Sequence, residues 1–564
     1  MFQDFINTKR TTGELDLTDE QIQELVDRTV NEKNLSFYAA LLRSGYLTQE
    51  QVVLLAAEYF ELAVIPDPFT IEVDFESTTV LYHDENKALD MRMVMDNKQF
   101  FVSLEDTKVL VVREPEDEME QSRLTAIFGQ TPTRAVLTDE AYEIILKYQL
   151  KPKLFENISM AMRPSDIRRV LQQDGDAGRN RFSPVEELLD GLMTAALERR
   201  ATDMRIIPIN AERSRVWLTV DGRNAHYTYI STAVLENLRN VLKNRANSPS
   251  ESPGVPVEGR ISFMHNGTQV DVRINIVTAF NGYDFNFRFI TTVLRGLNDL
   301  GMSDDNLAKY KRILNLTKGL VVISGPTGSG KTSLLYAGFR VSMDKNKHIY
   351  SIEDPVEIAL PGITQVEVKD GVGVTKEVLF ASALRHRPDI VAFGEIRNLD
   401  DAAPAINFAH TGHPAHATLH ANDAIGVISR LTNMGVDPYV LGDTLAAVIA
   451  QRLIRRVCPH CATAYNLEID HPWRKRFNLG NGEITLKKGC GCAKCAGTGY
   501  LGQMAIDEIL ITTPAIREAI QMQKGSTAIR NASNFQTYLE DGKAKALAGL
   551  TTFDELEDIA ADVL

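Results

Sequence analysis

At 564 residues the chain has room for about four domains, each with a core of its own. Its net charge of −14, from 75 acidic against 61 basic side chains, argues against a nucleic-acid translocase, because counterion-driven binding to DNA or RNA needs a basic surface. The N-terminal stretch MFQDFINTKRTTGELDL lacks the apolar run of a signal peptide, and no later stretch approaches ~18 uninterrupted apolar residues, so a cytosolic protein able to dock on a membrane is expected.

Residues 1–162 read as a polar, mixed segment. Helical spacing runs from Glu20 to Glu32 and from Ser36 to Leu42, and Thr48 with Gln51 makes a capping box for a further helix. Met91–Met95, Phe100–Leu104 and Lys108–Val112 alternate as short strands do. No catalytic constellation stands out, which suits a small α/β docking module.

From 163 to 182 the composition shifts to charge and glycine (RPSDIRRVLQQDGDAGRNR), as in a linker. Ser183, Pro184 and Glu186 then supply an N-cap, a first-turn proline and a capping-box carboxylate. Val185, Leu188, Leu189, Leu192, Met193, Ala196 and Leu197 form one apolar face behind them. A second domain, 183–292, continues as alternating strands over 204–209, 215–220, 260–264, 268–276 and 285–290, with a turn at Asp221-Gly222 and an exposed loop over 248–259. An antiparallel sheet with a helix or two is expected. Arg273 and Arg288 sit on these strands, and a strand-borne arginine is ordinarily solvated or ion-paired.

The third region, 300–564, is built around LVVISGPTGSGKTSLL. It reads as a buried strand, a glycine-rich turn and a helix start. Gly325, Gly330, Lys331 and Thr332 fit G-x-x-x-x-G-K-[ST]. In that pattern backbone amides wrap phosphate oxygens, the lysine adds a point charge, and the Thr332 hydroxyl suits Mg²⁺. The nucleotide-contacting run is therefore Gly325, Pro326, Thr327, Gly328, Ser329, Gly330, Lys331, Thr332 and Ser333. Ile349–Ile352 ends in Glu353-Asp354, and Ile390–Phe393, preceded by Asp389, is followed by Gly394-Glu395. Carboxylates at strand ends beside a phosphate loop can hold Mg²⁺ through water and polarise an attacking water. His410, His413, His416 and His420 fall within eleven residues. Gly412 and Pro414 interrupt any helix there, which favours a phosphate sensor over a zinc site.

Cys458-x-x-Cys461 and Cys492-x-x-Cys495 stand thirty residues apart. Paired thiolates at this spacing make a tetrahedral Zn²⁺ site, worth on the order of ten kcal/mol to a segment with little core of its own. Cys490 is left over as a free thiol.

GPTGSGKT, SIEDPVE, RPDIVAFGEIR, AHTGH with ATLHANDA, AQRLIRRVCPHC and GCAKCAGTGYLG, in this order, resemble the type II secretion and type IV pilus assembly ATPases of the secretion-ATPase superfamily. With TYLEDGKAKALAGLTTFDEL the resemblance covers about residues 200–560. It implies an α/β chain with a RecA-like P-loop motor domain, preceded by a small α+β, PAS-like domain and the N-terminal docking domain, with a zinc-binding insertion at 455–505. It implies ATP and Mg²⁺ as ligands, Zn²⁺ as a structural ion, and a homohexameric ring. By the same resemblance Glu395 activates water with Asp389 as its companion, Glu353 and Asp354 form an acidic box, His413 and His420 form the histidine box, and Arg273 and Arg288 reach the γ-phosphate. The implied work is assembly of a pilus or pseudopilus at the cytoplasmic face of the inner membrane, in peripheral contact with a platform protein and a cytoplasmic docking protein. The paired cysteines favour assembly over retraction. Gln503 and LRHRPD depart from the usual pattern, the latter towards conjugation-type relatives. The alternatives are a conjugation- or retraction-type traffic ATPase and a catalytically weak, nucleotide-gated scaffold.

Overall fold

A computed structural model describes residues 2–32, 35–63, 65, 68, 71–74, 78, 99–104, 107–112, 115, 118–128, 130–162, 184–246, 254–290, 295–533 and 535–561. The strand expected at Met91–Met95, the linker at 163–182, the Ser183 cap and the first half of the loop at 248–259 lie outside them. The chain forms two compact units, Met1–Val220 with Asn224–Phe289, and Asp221–Arg223 with Ile290–Leu564.

The first unit opens with helices Phe2–Thr11, Asp19–Asn31, Phe37–Ser44 and Gln49–Phe60. Capping boxes at Thr18/Gln21 and Thr48/Gln51 satisfy backbone N–H groups that a helix start leaves open. These helices share one core with a four-stranded sheet, β1 (Glu72–Asp74), β2 (Phe100–Leu104), β3 (Thr107–Val111) and β4 (Thr133–Ala135). Helix Lys151–Ala161 then reaches into the next layer, where Phe155 joins a second core and the Pro152 carbonyl accepts from the Thr228 hydroxyl at 2.5 Å. Arg199 sits between the Tyr148 and Tyr227 rings, 4.5 and 4.6 Å from their centroids. A half-buried cation held by two π faces, and donating to the Lys147 carbonyl at 3.0 Å, is a specific joint rather than a loose contact.

That second core lies under a six-stranded sheet of β5 (Ala201–Pro208), β6 (Arg213–Val220), β7 (Arg223–Ser231), β8 (Val257–His265), β9 (Thr268–Ala279) and β10 (Gly282–Ile290), in the order β7-β6-β5-β10-β9-β8. Helices Pro184–Glu198 and Leu235–Arg245 share that core. Alternation then puts Met204, Ile206, Val272, Ile274, Phe285 and Phe287 inside and the charged residues on the other face. β7 was not among the expected strands, because its first four residues are exposed, with no apolar alternation, and only Tyr227, Thr228 and Ile230 turn inward.

The second unit is a seven-stranded sheet with the order β13-β12-β14-β15-β11-β16-β19. Its strands are β11 (Gly319–Ser324), β12 (Ile349–Glu353), β13 (Thr364–Glu367), β14 (Ile390–Ile396), β15 (Pro414–Leu419), β16 (Leu445–Val457) and β19 (Tyr500–Ile511). All six residues of β11 are buried; Leu320 and Val322 face one core, Val321 and Ile323 the other. A strand covered on both faces reads as an uninterrupted apolar run, which is what the sequence showed before the phosphate loop. Every pairing is parallel except β16 with β19. The hairpin of β17 (Ala462–Asn466) and β18 (Thr485–Gly489) stands between the cysteine pairs.

Candidate functional site

In a parallel sheet the carboxyl ends of the strands share one edge, and ligands collect there. β11 ends at Ser324, registered with Leu419 of β15, which is registered with Ile396 of β14. The segment from Gly325, the Glu353-Asp354 pair, Glu395 and His420 therefore emerge together.

The loop Gly325–Gly330 runs into helix Lys331–Met343, whose first turn has no side-chain cap, leaving its N–H groups and partial positive charge for an anion. Two glycines are required by space and by backbone angle. At Gly325 (φ +149) a Cβ would lie 2.4 Å from the Gln451 carbonyl oxygen, and at Gly330 (φ +84) 2.6 Å from Gln451 Nε2. Lys331 Nζ donates to the carbonyls of Gly325 (2.8 Å) and Pro326 (2.9 Å), and burial holds its pKa below the usual lysine value.

His420 joins the loop to the acids. Its Nδ1 is 3.0 Å from the Gly325 carbonyl and its Nε2 is 2.7 Å from Glu395 Oε1. On the other side of Glu395, Arg397 Nε reaches Oε2 at 3.2 Å while Arg397 Nη1 reaches Asp354 Oδ2, also at 3.2 Å. Hydrogen bonding to Glu395 is the main reason the Arg397 pKa lies above its ordinary value. Glu353 is differently placed. It is buried, its Oε2 accepts from the Tyr336 hydroxyl, and its Oε1 accepts from Ser351 Oγ (2.7 Å) and Gln365 Nε2 (3.0 Å). A carboxylate whose oxygens are already taken by three protein donors anchors the loop after β12; it is poorly suited to accept a proton from water.

Two residues expected in the site are not brought to it. Asp389 precedes β14 and His413 precedes β15, at the amino ends of their strands. Six residues of strand, about 20 Å, separate these positions from the edge that carries Glu395 and His420. Asp389 Oδ2 instead accepts from the His348 backbone N–H at 2.7 Å, and the His413 ring packs against Phe408 in a tilted arrangement, centroids 4.9 Å apart. His410 ends helix Leu399–His410 at the same far edge, while His416 is buried in mid-strand with its pKa pushed down to about 4 by burial. Arg273 and Arg288 belong to the other unit, on neighbouring strands and on the sheet face away from its core. Arg288 Nε pairs with Asp203 Oδ1 at 3.0 Å, and Arg273 stands opposite Arg260 in register.

The sulfur atoms of Cys458, Cys461, Cys492 and Cys495 all lie within 4.8 Å of one another. Backbone N–H groups of Cys492 and Gly499 point at Cys495 Sγ, 3.2 and 3.3 Å away. Four soft donors converging in this way fit a tetrahedral Zn²⁺ ion. Cys490 is exposed and outside the tetrad, its thiol turned to the Cys461 carbonyl.

The family model described as type II/IV secretion system protein matches residues 179–558, more than half of the chain. The chain belongs to that family. A type II secretion system ATPase E from Vibrio cholerae is 32% identical over 392 residues, covering 69% of this chain and 76% of the relative. A type IV pilus assembly ATPase PilB from Thermus thermophilus is 33% identical over 382 residues, covering 66% of this chain but only 43% of the relative. The crystal structure of the Legionella pneumophila ATPase DotB shares the fold, with a TM-score of 0.50 at 20% identity over 68% of this chain and 98% of that one. Family members are named ATPases, and this chain is an ATPase of the type II/IV secretion family.

Sequence reading of this secretion-family ATPase missed Tyr336, Gln365 and Arg397. Arg397 had a signal, a cation two residues beyond a strand-end acid. Tyr336 and Gln365 had none, since each meets Glu353 only through the fold.

Proposed function

We propose that this chain is a motor that hydrolyses ATP to drive assembly of a type IV pilus or type II secretion pseudopilus. ATP would lie along Gly325–Ser333, its phosphates on the loop amides and Lys331, and Mg²⁺, held at Thr332, would supply charge neutralisation when bound. Glu395 orients and deprotonates the attacking water. His420 and Arg397 fix its carboxylate from opposite sides, and Asp354 steadies Arg397. Glu353 shapes the acidic segment from behind. The reading rests above all on Glu395, whose two oxygens are each held by a different cation-forming side chain at the edge where the phosphate loop begins.

Arg273 and Arg288 are proposed to contact the γ-phosphate, the six-stranded module to be the PAS-like partner of the motor domain, and residues 1–162 to dock on a cytoplasmic component. A homohexamer peripheral to the inner membrane, pushing on a platform protein, completes the reading, and Zn²⁺ in the cysteine tetrad would rigidify the insertion. Among the described residues no helix is long and apolar enough to cross a membrane. Hydrolysis coupled to reorientation of two nucleotide-contacting modules is the general route from ATP to movement. The test is Glu395→Gln: nucleotide binding should persist while hydrolysis falls by at least ~100-fold, and ordinary turnover would overturn the assignment.

A further inference from the structure

β16 passes directly beneath the phosphate loop, and residue 451 meets it at both ends. The Gln451 carbonyl oxygen backs Gly325, and its side-chain amide backs Gly330, which also packs near Leu453. Gln451 is 2% exposed and Ser329 is 3% exposed. Gln451 Nε2 donates to the Ser329 carbonyl at 2.7 Å, and among the described residues Gln451 Oε1 has no hydrogen-bond partner. Among the described residues, the side chain is thus held in the interior with the loop peptide as its only hydrogen-bond partner, although a buried amide left half-satisfied is costly.

In a trans peptide the carbonyl of one residue and the N–H of the next point in opposite directions. Pinning the Ser329 carbonyl towards β16 turns the Gly330 N–H away from the strand, towards the space the loop encircles. We infer that Gln451 is a positioning residue for nucleotide binding: its Nε2–H sets the Ser329–Gly330 peptide so that the Gly330 amide faces a phosphate oxygen. Gln451 touches no phosphate itself. The inference rests on the loop being the nucleotide site, and its test separates the two.

Full-length wild type, Gln451→Met, Gln451→Leu and Lys331→Ala are titrated with a fluorescent ADP in the presence of Mg²⁺, each well below its own melting temperature measured without nucleotide. Methionine and leucine keep the buried volume and remove the donor. Roughly tenfold weaker binding is expected for both Gln451 variants, with KM for ATP raised by a similar factor and kcat within about threefold of wild type. Binding within twofold of wild type in either folded Gln451 variant, alongside lost binding in Lys331→Ala, would overturn the role of Gln451 alone. Wild-type binding by Lys331→Ala would overturn the loop as the nucleotide site. A large fall in kcat with unchanged KM would place Gln451 in the chemical step and also overturn the inference.

Discussion

His420 Nε2 lies 2.7 Å from Glu395 Oε1, and the same ring's Nδ1 lies 3.0 Å from the carbonyl of Gly325, the first glycine of the phosphate loop. One imidazole thus spans the loop and the carboxylate proposed to activate water, so movement of either is felt by the other.

Replacing His420 with Gln should lower kcat at least tenfold while leaving MgADP affinity within about threefold, because orientation of a general base acts on the chemical step more than on ground-state binding. Arg397→Gln should act in the same direction by freeing the other Glu395 oxygen. Steady-state phosphate release with a parallel binding titration checks both, and an equal loss of binding and turnover would mean that these side chains hold the loop rather than the base.

Asp354 and Asp389 look alike in sequence, each beside a strand of the motor sheet, yet they occupy opposite edges. Asp354→Asn should reduce hydrolysis several-fold. Asp389→Ala should leave it within about twofold and appear instead as a modest loss of stability, on the order of 1 kcal/mol, because the His348 backbone N–H loses its acceptor. Comparable activity losses in the two variants would contradict the placement of Asp389.

Asp507 on β19 is fully buried beside Lys545 and Asp541, and burial pushes its carboxyl from 3.8 up to about 7. The folded chain therefore keeps a proton that the unfolded chain releases, and stability should fall as the pH rises from about 4 through about 7. Glu508, also raised to about 7 by burial, adds to the same slope. The melting temperature should be lower at pH 8 than at pH 6, and Asp507→Asn should flatten that difference. A slope unchanged by the substitution would assign the pH dependence elsewhere.

Metal analysis of the purified chain should find one zinc per chain, lost in Cys495→Ser and retained in Cys490→Ser. Removing the ion by chelation should lower the melting temperature, since four inward thiols without a metal leave the insertion held by little more than the β17–β18 hairpin and the core behind it. Retention of zinc by Cys495→Ser would exclude the tetrad as its site.

Much of this was legible in the chain itself. The phosphate loop, the buried strand before it and the cysteine pairs announce themselves because each depends on residue types at short, fixed spacing. The capping box at Thr48 is equally local. What spacing could not decide was which end of a strand faces the loop. Asp389 and Glu395 lie before and within one strand, His413 and His420 on either side of the next, and only the parallel register sends Glu395 and His420 to the ligand edge and the other two to the far side. Nor could sequence place Tyr336, Gln365 or Gln451. Their partners lie 17, 12 and 122 residues away, and a hydrogen bond across such distances exists only once the sheet has brought the segments together.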